Sequence, residues 1–139
     1  MSHIVPIIDE AFGAGGIVLS KGRVLLLDSR LPQGGLHEAE GLRECALRQV
    51  KEQAGFDCEI HDYFGSHVYS TSGTRHRHFF WVMRIKSTGG VAGGSSEQSD
   101  FDTDIVKDFV KVQEVSGRLL THEDKAFFQR HVGRIQRKN

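Results

Sequence analysis

The spacing of apolar and polar positions along the 139-residue chain changes several times. In "GAGGIVLSKGRVLLLDSR", short runs of β-branched residues and leucine stand between glycines. That pattern predicts two strands, near Gly16–Leu19 and Arg23–Asp28, joined by a turn at Ser20-Lys21-Gly22. "LPQGGLHEAE" then reads as a loop, because Pro32 and the adjacent Gly34 and Gly35 oppose regular structure. Over residues 41–54 the period becomes helical: Leu42, Cys45, Ala46 and Val50 fall at i, i+3, i+4 and i+8, on one face. Gly55 sits where a left-handed residue closes a helix. "CEIHDYF" and "SHVYS" read as strand fragments, "TSGT" as a turn and "RHRHFFWVMRIK" as the strongest strand of the chain. "STGGVAGGSSEQSD" has nothing to pack and reads as a mobile loop, of the kind that forms lids over sites. "IVKDFVKV" predicts a further strand, and "THEDKAFFQRHVGRIQ" a closing helix with Thr121 as N-cap and acids in its first turn.

Strands interleaved with two helices, without internal repeats or a linker, predict one domain over residues 1–139. Its class is α+β or α/β, a mixed sheet covered by helices. A chain of this length buries an ordinary core without disulfide or metal staples. Hydrophobic residues make up 38% and charged residues 26%, as in soluble globular proteins. Lys+Arg and Asp+Glu both count 18, so no global field draws the chain to nucleic acid or membrane, and an anionic ligand has to be held by local groups. Cys45 and Cys58 form neither a C-x-x-C motif nor a disulfide framework, which fits reduced thiols in the cytoplasm. "MSHIVPIIDEAFG" lacks the form of a signal peptide, and apolar runs such as "VLLL" are too short to span a bilayer.

The predicted helix carries two amides, Gln49 and Gln53, one turn apart. A helix advances about 100° per residue, so with Gln49 as zero Leu42, Gln53 and Ala46 lie at about +20°, +40° and +60°. Cys45 and Glu52 lie at about −40° and −60°. Both amides therefore share the inward side of the helix, with Glu52 on its rim. Amides on a half-buried face need partners, or they cost about 1–3 kcal/mol each. The nearest polar segment is the glycine-bearing loop upstream. Arg48 is spaced to bond Glu44 (i−4) and Glu52 (i+4), which would fix the Glu52 rotamer. A carboxylate so pinned, beside two amides and under Gly34-Gly35, is a candidate cation or phosphate site; a solvated helix edge is the alternative.

These residues resemble the box of the Nudix hydrolases, G-x5-E-x7-R-E-U-x-E-E-x-G-U, with U a bulky apolar residue. Gly34, Glu40, Arg48, Val50, Glu52, Gly55 and Phe56 fit it in register, seven of nine fixed positions. Gln49 and Gln53 stand where glutamates are expected. "AGGIVLSKGRVLLL" before the box and "FVKVQEV" with a final helix after it are similar to the family's flanks, so the resemblance covers essentially the whole chain. "LPQGGLHEAE" also resembles the loop of the RNA 5′-pyrophosphohydrolase and dinucleoside-polyphosphate branch. The resemblance implies an α/β/α sandwich around a mixed β-sheet. It also implies hydrolysis of a diphosphate linkage in a nucleotide-like small molecule or an RNA 5′ end, assisted by Mg²⁺ or Mn²⁺. By position it implies Glu52, Gln53, Gln49 and Glu40 around the metal, Arg48 orienting Glu52, and Gly34 and Gly35 letting the loop approach substrate. It makes Glu52, Arg48 and Gln49 the catalytic candidates, and family analogy adds a homodimer.

The two glutamines weaken this picture. A neutral amide oxygen can coordinate a hard cation but lacks the carboxylate's charge, and it cannot act as a general base. Mg²⁺ often takes only one or two protein carboxylates, so Glu52 with Glu40, or with an acid of "EQSDFDTD" (Glu97, Asp100, Asp102, Asp104), is a possible reduced set. Those acids equally suit a solvated loop.

Alternation in "RHRHFFWVMR" places Arg75, Arg77, Phe79 and Trp81 on one side of a strand and His76, His78, Phe80 and Val82 on the other. Arg75 and Arg77 are candidate phosphate ligands, and Trp81 or a phenylalanine a candidate base-stacking surface. A solvated strand end over core aromatics is the other reading. His76 and His78 lack a third metal ligand in sequence, His37 and Glu38 are ordinary loop residues, and Cys45 reads as a small buried hydrophobe. Three functional readings remain open: a weakened hydrolase, a domain that binds a nucleotide or RNA end without cutting it, and an active enzyme inactivated by Glu→Gln substitution.

Overall fold

The computed structural model describes residues 9–86 and 107–136. Within them the chain runs β1 (Asp9–Ser20), β2 (Arg23–Leu27), β3 (Gln33–Gly35), α1 (Leu42–Ala54), β4 (Cys58–Thr71), β5 (Thr74–Ile85) and β6 (Lys107–Lys111). A 3-10 turn at Val112–Glu114 leads into α2 (Val115–Arg118), α3 (His122–His131) and α4 (Gly133–Gln136). The described strands form one mixed sheet in the order β4-β5-β1-β2-β6, with β3 also paired to β1. β1 and β5 are parallel from Asp9↔Thr74 to Val18↔Met83, and the remaining pairs are antiparallel.

Helix α1 covers one face of the sheet, where Ala14, Val18, Leu25, Cys45, Ala46, Val50 and Met83 are fully buried. The later helices cover the other face, with Ile17, Phe64, Phe80, Phe127, Phe128 and Ile135 at its centre. Burying each phenylalanine contributes about 1.5–3 kcal/mol, so these rings anchor the second layer. This is the layered α/β arrangement around a mixed sheet that the periodicity predicts.

Several elements differ from the sequence reading, among them the expected closing helix, which is divided into α3 and α4, and the unexpected 3-10 turn and α2 before it. β1 begins at Asp9 rather than Gly16, because β5 pairs along it and overrides the weak strand propensity of its glycines. Gln33–Gly35, expected to be irregular, forms a short strand against Gly13–Gly15. That approach is so close that a Cβ on Gly13 would collide with the Gly34 carbonyl oxygen. The two fragments after the helix are one strand, β4, with irregular register between Ile60 and Asp62 and between Tyr63 and Gly65.

Local chemistry explains the turns. Lys21 and Gly22, at φ 53° and 75°, join β1 to β2, and Gly73 at φ 87° joins β4 to β5. Gly55 ends α1 at φ 84°, its N–H donating to the Lys51 carbonyl at 2.9 Å. Thr121 caps α3 by accepting from the Asp124 N–H at 3.1 Å. The glycine- and serine-rich stretch before β6 and the acids Glu97, Asp100, Asp102 and Asp104 lie outside the described residues.

Candidate functional site

The loop between β3 and α1 is held to the helix by Arg48. Its guanidinium donates to Glu40 twice, at 2.7 and 2.9 Å, to Glu52 at 3.2 Å and to the Gly35 carbonyl at 2.9 Å. The expected contact with Glu44 does not form. Glu44 folds back instead and accepts the Gly41 N–H at 2.9 Å, satisfying an otherwise free donor at the helix start. Glu40, which follows Ala39 at φ 65°, takes its place. Glu40 also accepts the His37 N–H at 2.9 Å. The Arg48 bonds, then the His37 N–H, hold its carboxyl at about 2, and the same contact raises the Arg48 pKa further above its ordinary value.

Gln49 and Gln53 do turn inward. Gln49 is 7% exposed, and its amide nitrogen donates to the Gly35 carbonyl at 3.1 Å. Gln53 donates to the Gln33 carbonyl at 2.9 Å and to the Gln49 side-chain oxygen at 2.6 Å. A Cβ on Gly34 would collide with the Gln49 amide, so glycine at 34 is what lets these groups meet. Cys45 is fully buried beneath the same loop, its sulfur 3.4 Å from the Gly35 carbonyl oxygen. Burial, then the charge of Glu40, raises its thiol pKa, which suits a packed hydrophobe and not a nucleophile.

Glu52 departs from the expectation that it shares a pocket with the glycine turn. Its side chain is 57% exposed and touches Arg48 at 3.2 Å; Gly35 is reached only through that arginine. The position is the helix rim, where the wheel places it, and nothing described draws it inward. Mg²⁺ takes six oxygen ligands, of which one or two are commonly protein carboxylates and the rest water or substrate phosphate. Of the four residues that the resemblance implies, Glu40 has both oxygens bonded to Arg48 or His37, and Gln53 uses its nitrogen on Gln33 and Gln49. That leaves the exposed Glu52 carboxylate and the Gln53 side-chain oxygen. Among the described residues no three His, Cys, Asp or Glu side chains gather in a geometry that could hold a metal ion. The box by itself, among the described residues, does not assemble a closed set of carboxylates around a divalent metal.

On β5, Arg77 lies 3.6 Å from Glu10 of β1, both half-exposed, and Arg75 is exposed. Phe79 stacks on Phe12 with ring centroids 6.5 Å apart, and Phe12 is 43% exposed. Phe12 was not legible as a surface aromatic, since the chain before Gly16 gave no strand signal. Its carbonyl accepts the Leu36 N–H at 3.0 Å, so this pair borders the loop that carries Gly34 and Gly35. Trp81 is packed edge-on against Tyr63, at 5.5 Å. On the opposite face, His78 lies 2.7 Å from the Gln33 side-chain oxygen and His76 2.9 Å from Thr71 Oγ1. Burial, then the charge of His76, pushes His78 down to about 4, so it is neutral at ordinary pH and its Nδ1 donates to Gln33. Sequence offered no signal for this link, which joins residues 45 positions apart.

The sequence model of the NUDIX domain matches residues 9–131. This chain belongs to the Nudix hydrolase family. No curated protein matches it, but solved Nudix structures share the fold. A MutT protein from Methanosarcina mazei Go1 superposes with a TM-score of 0.70 at 17% identity, covering 91% of this chain and 95% of that one. A NUDIX hydrolase from Nitrosomonas europaea gives 0.65 at 16% identity, covering 90% of each chain. The C. elegans Ap4A hydrolase gives 0.66 at 15% identity, covering 90% of this chain and 98% of that one. Among the described residues of this Nudix domain, no helix is long and apolar enough to cross a membrane.

Proposed function

We propose that this Nudix domain binds a nucleotide-like diphosphate, either a small molecule or an RNA 5′ end in the cytoplasm, without efficient hydrolysis. The observation that carries the reading is at positions 49 and 53. Neutral amides stand at both inward-facing acid positions of the box, and their N–H groups already bond loop carbonyls. An amide is no general base, so the water that would attack phosphorus lacks a proton acceptor there. The loop at Gly34 and Gly35 supplies the approach to phosphate. Arg75 and Arg77 are the nearby cations on the α1 side of the sheet, and the exposed Phe12 face suits a nucleobase. One solved neighbour is named an Ap4A hydrolase, which supports a nucleotide with linked phosphates as the ligand class.

Calorimetry with ADP-ribose, a dinucleoside polyphosphate and a 5′-triphosphorylated RNA tests this, in EDTA and in Mg²⁺. Affinity for one of them that survives chelation is expected. Binding abolished by EDTA would overturn the reading. A slow Mg²⁺- or Mn²⁺-dependent hydrolase is the second reading, favoured by the remaining Glu52 carboxylate and the Arg48 contact that orients it. Product release from the same ligands at catalytic protein concentration would establish it.

A further inference from the structure

The orientation of both amides follows from what surrounds them. The Gln33 and Gly35 carbonyls can only accept, so the nitrogens of Gln53 and Gln49 have to face them. The Gln49 oxygen then faces the second N–H of Gln53. Gln33 extends the chain of bonds, its own amide donating to the Leu31 carbonyl at 3.1 Å and accepting from His78. These amide N–H groups thus add to the β3–β1 backbone pairing and to the Arg48–Glu40 contact in tying loop, helix and sheet, and none of the ties uses a cation other than the arginine itself. Carboxylates at 49 and 53 would reverse this. Each would turn an acceptor toward a carbonyl oxygen, and the two would hold like charges in contact, an arrangement relieved by a bridging cation or by a shared proton.

We propose that in this chain the two glutamine amides latch residues 33–35 to α1 in the absence of any divalent cation, so that the box is closed at every metal concentration. The latch rests on hydrogen-bond geometry alone and stands whether or not the domain binds a nucleotide.

Thermal melts in EDTA and in millimolar Mn²⁺, with the free Mn²⁺ spectrum followed by electron paramagnetic resonance, test the latch. The protein itself should melt at the same temperature in both buffers and leave the Mn²⁺ signal unchanged. Gln49→Glu/Gln53→Glu should melt about 3–6 °C lower in EDTA, recover in Mn²⁺ and deplete the free signal. Gln53→Met, which removes the donor without adding charge, should melt lower by a similar amount in both buffers. If the double variant does not fold in EDTA, its dependence on Mn²⁺ for folding is the same result in stronger form. Mn²⁺ uptake with a raised melting temperature in the unaltered protein would overturn the proposal, as would Gln53→Met melting like the parent.

Discussion

Arg48 and Glu40 meet through two hydrogen bonds, at 2.7 and 2.9 Å, and the pair bridges the loop before α1 to the helix itself. The Glu40 side chain is 13% exposed and that of Arg48 20%, so the contact is shielded, whereas the same arginine meets Glu52 in the open. One guanidinium therefore fixes the loop through Glu40 and the Gly35 carbonyl, and orients the rim carboxylate as a secondary effect.

Arg48→Met should melt about 3–6 °C lower than the parent and lose the acid limb of its stability profile. Glu40 titrates at about 2 in the fold against an ordinary 4.5. Its contribution is complete above pH 4.5 and is lost as the pH falls toward 2, because the unfolded chain takes up the proton first. Melting temperature followed between pH 5 and 2 should fall less steeply in the variant. Parallel profiles would show that Arg48 does not hold this carboxylate.

A second window belongs to His78. Burial lowers it from 6.5 to about 4, so the folded protein resists a proton that the unfolded chain accepts. Stability should be full above pH 6.5 and decline as the pH drops from 6.5 toward 4. His78→Gln should flatten that portion of the profile and leave the Glu40 portion in place.

Restoring both acids, Gln49→Glu/Gln53→Glu, should raise hydrolysis of the best-bound diphosphate in Mn²⁺ by roughly 100-fold, the scale of a positioned general base. Initial rates measured beside the parent decide it. An unchanged rate would place any chemistry elsewhere than the box.

The two loop glycines should respond in opposite ways. Gly35→Ala meets no atom within 4 Å and should change stability by less than about 0.5 kcal/mol. Gly34→Ala pushes the Gln49 amide aside, away from its bond to the Gly35 carbonyl, and should cost about 1 kcal/mol, the scale of one hydrogen bond, by denaturant titration. Ligand affinity lost in Gly35→Ala would then report on the site and not on folding.

Local periodicity and spacing determined the helix, read over 41–54 and formed at Leu42–Ala54, its Gly55 stop, the inward turn of both amides and the glycine loop as their polar partner, because all of these follow from positions a few residues apart. The spacing of Gly34, Glu40, Arg48 and Glu52 likewise carried the family. Tertiary structure alone decided that Arg48 takes Glu40 and not Glu44, that Gln33–Gly35 joins the sheet, that His78 bonds Gln33 and that Glu52 faces solvent. Each of these depends on which acceptor, strand edge or open solvent the fold brings within reach, and competition among distant partners leaves no trace in the pattern along the chain.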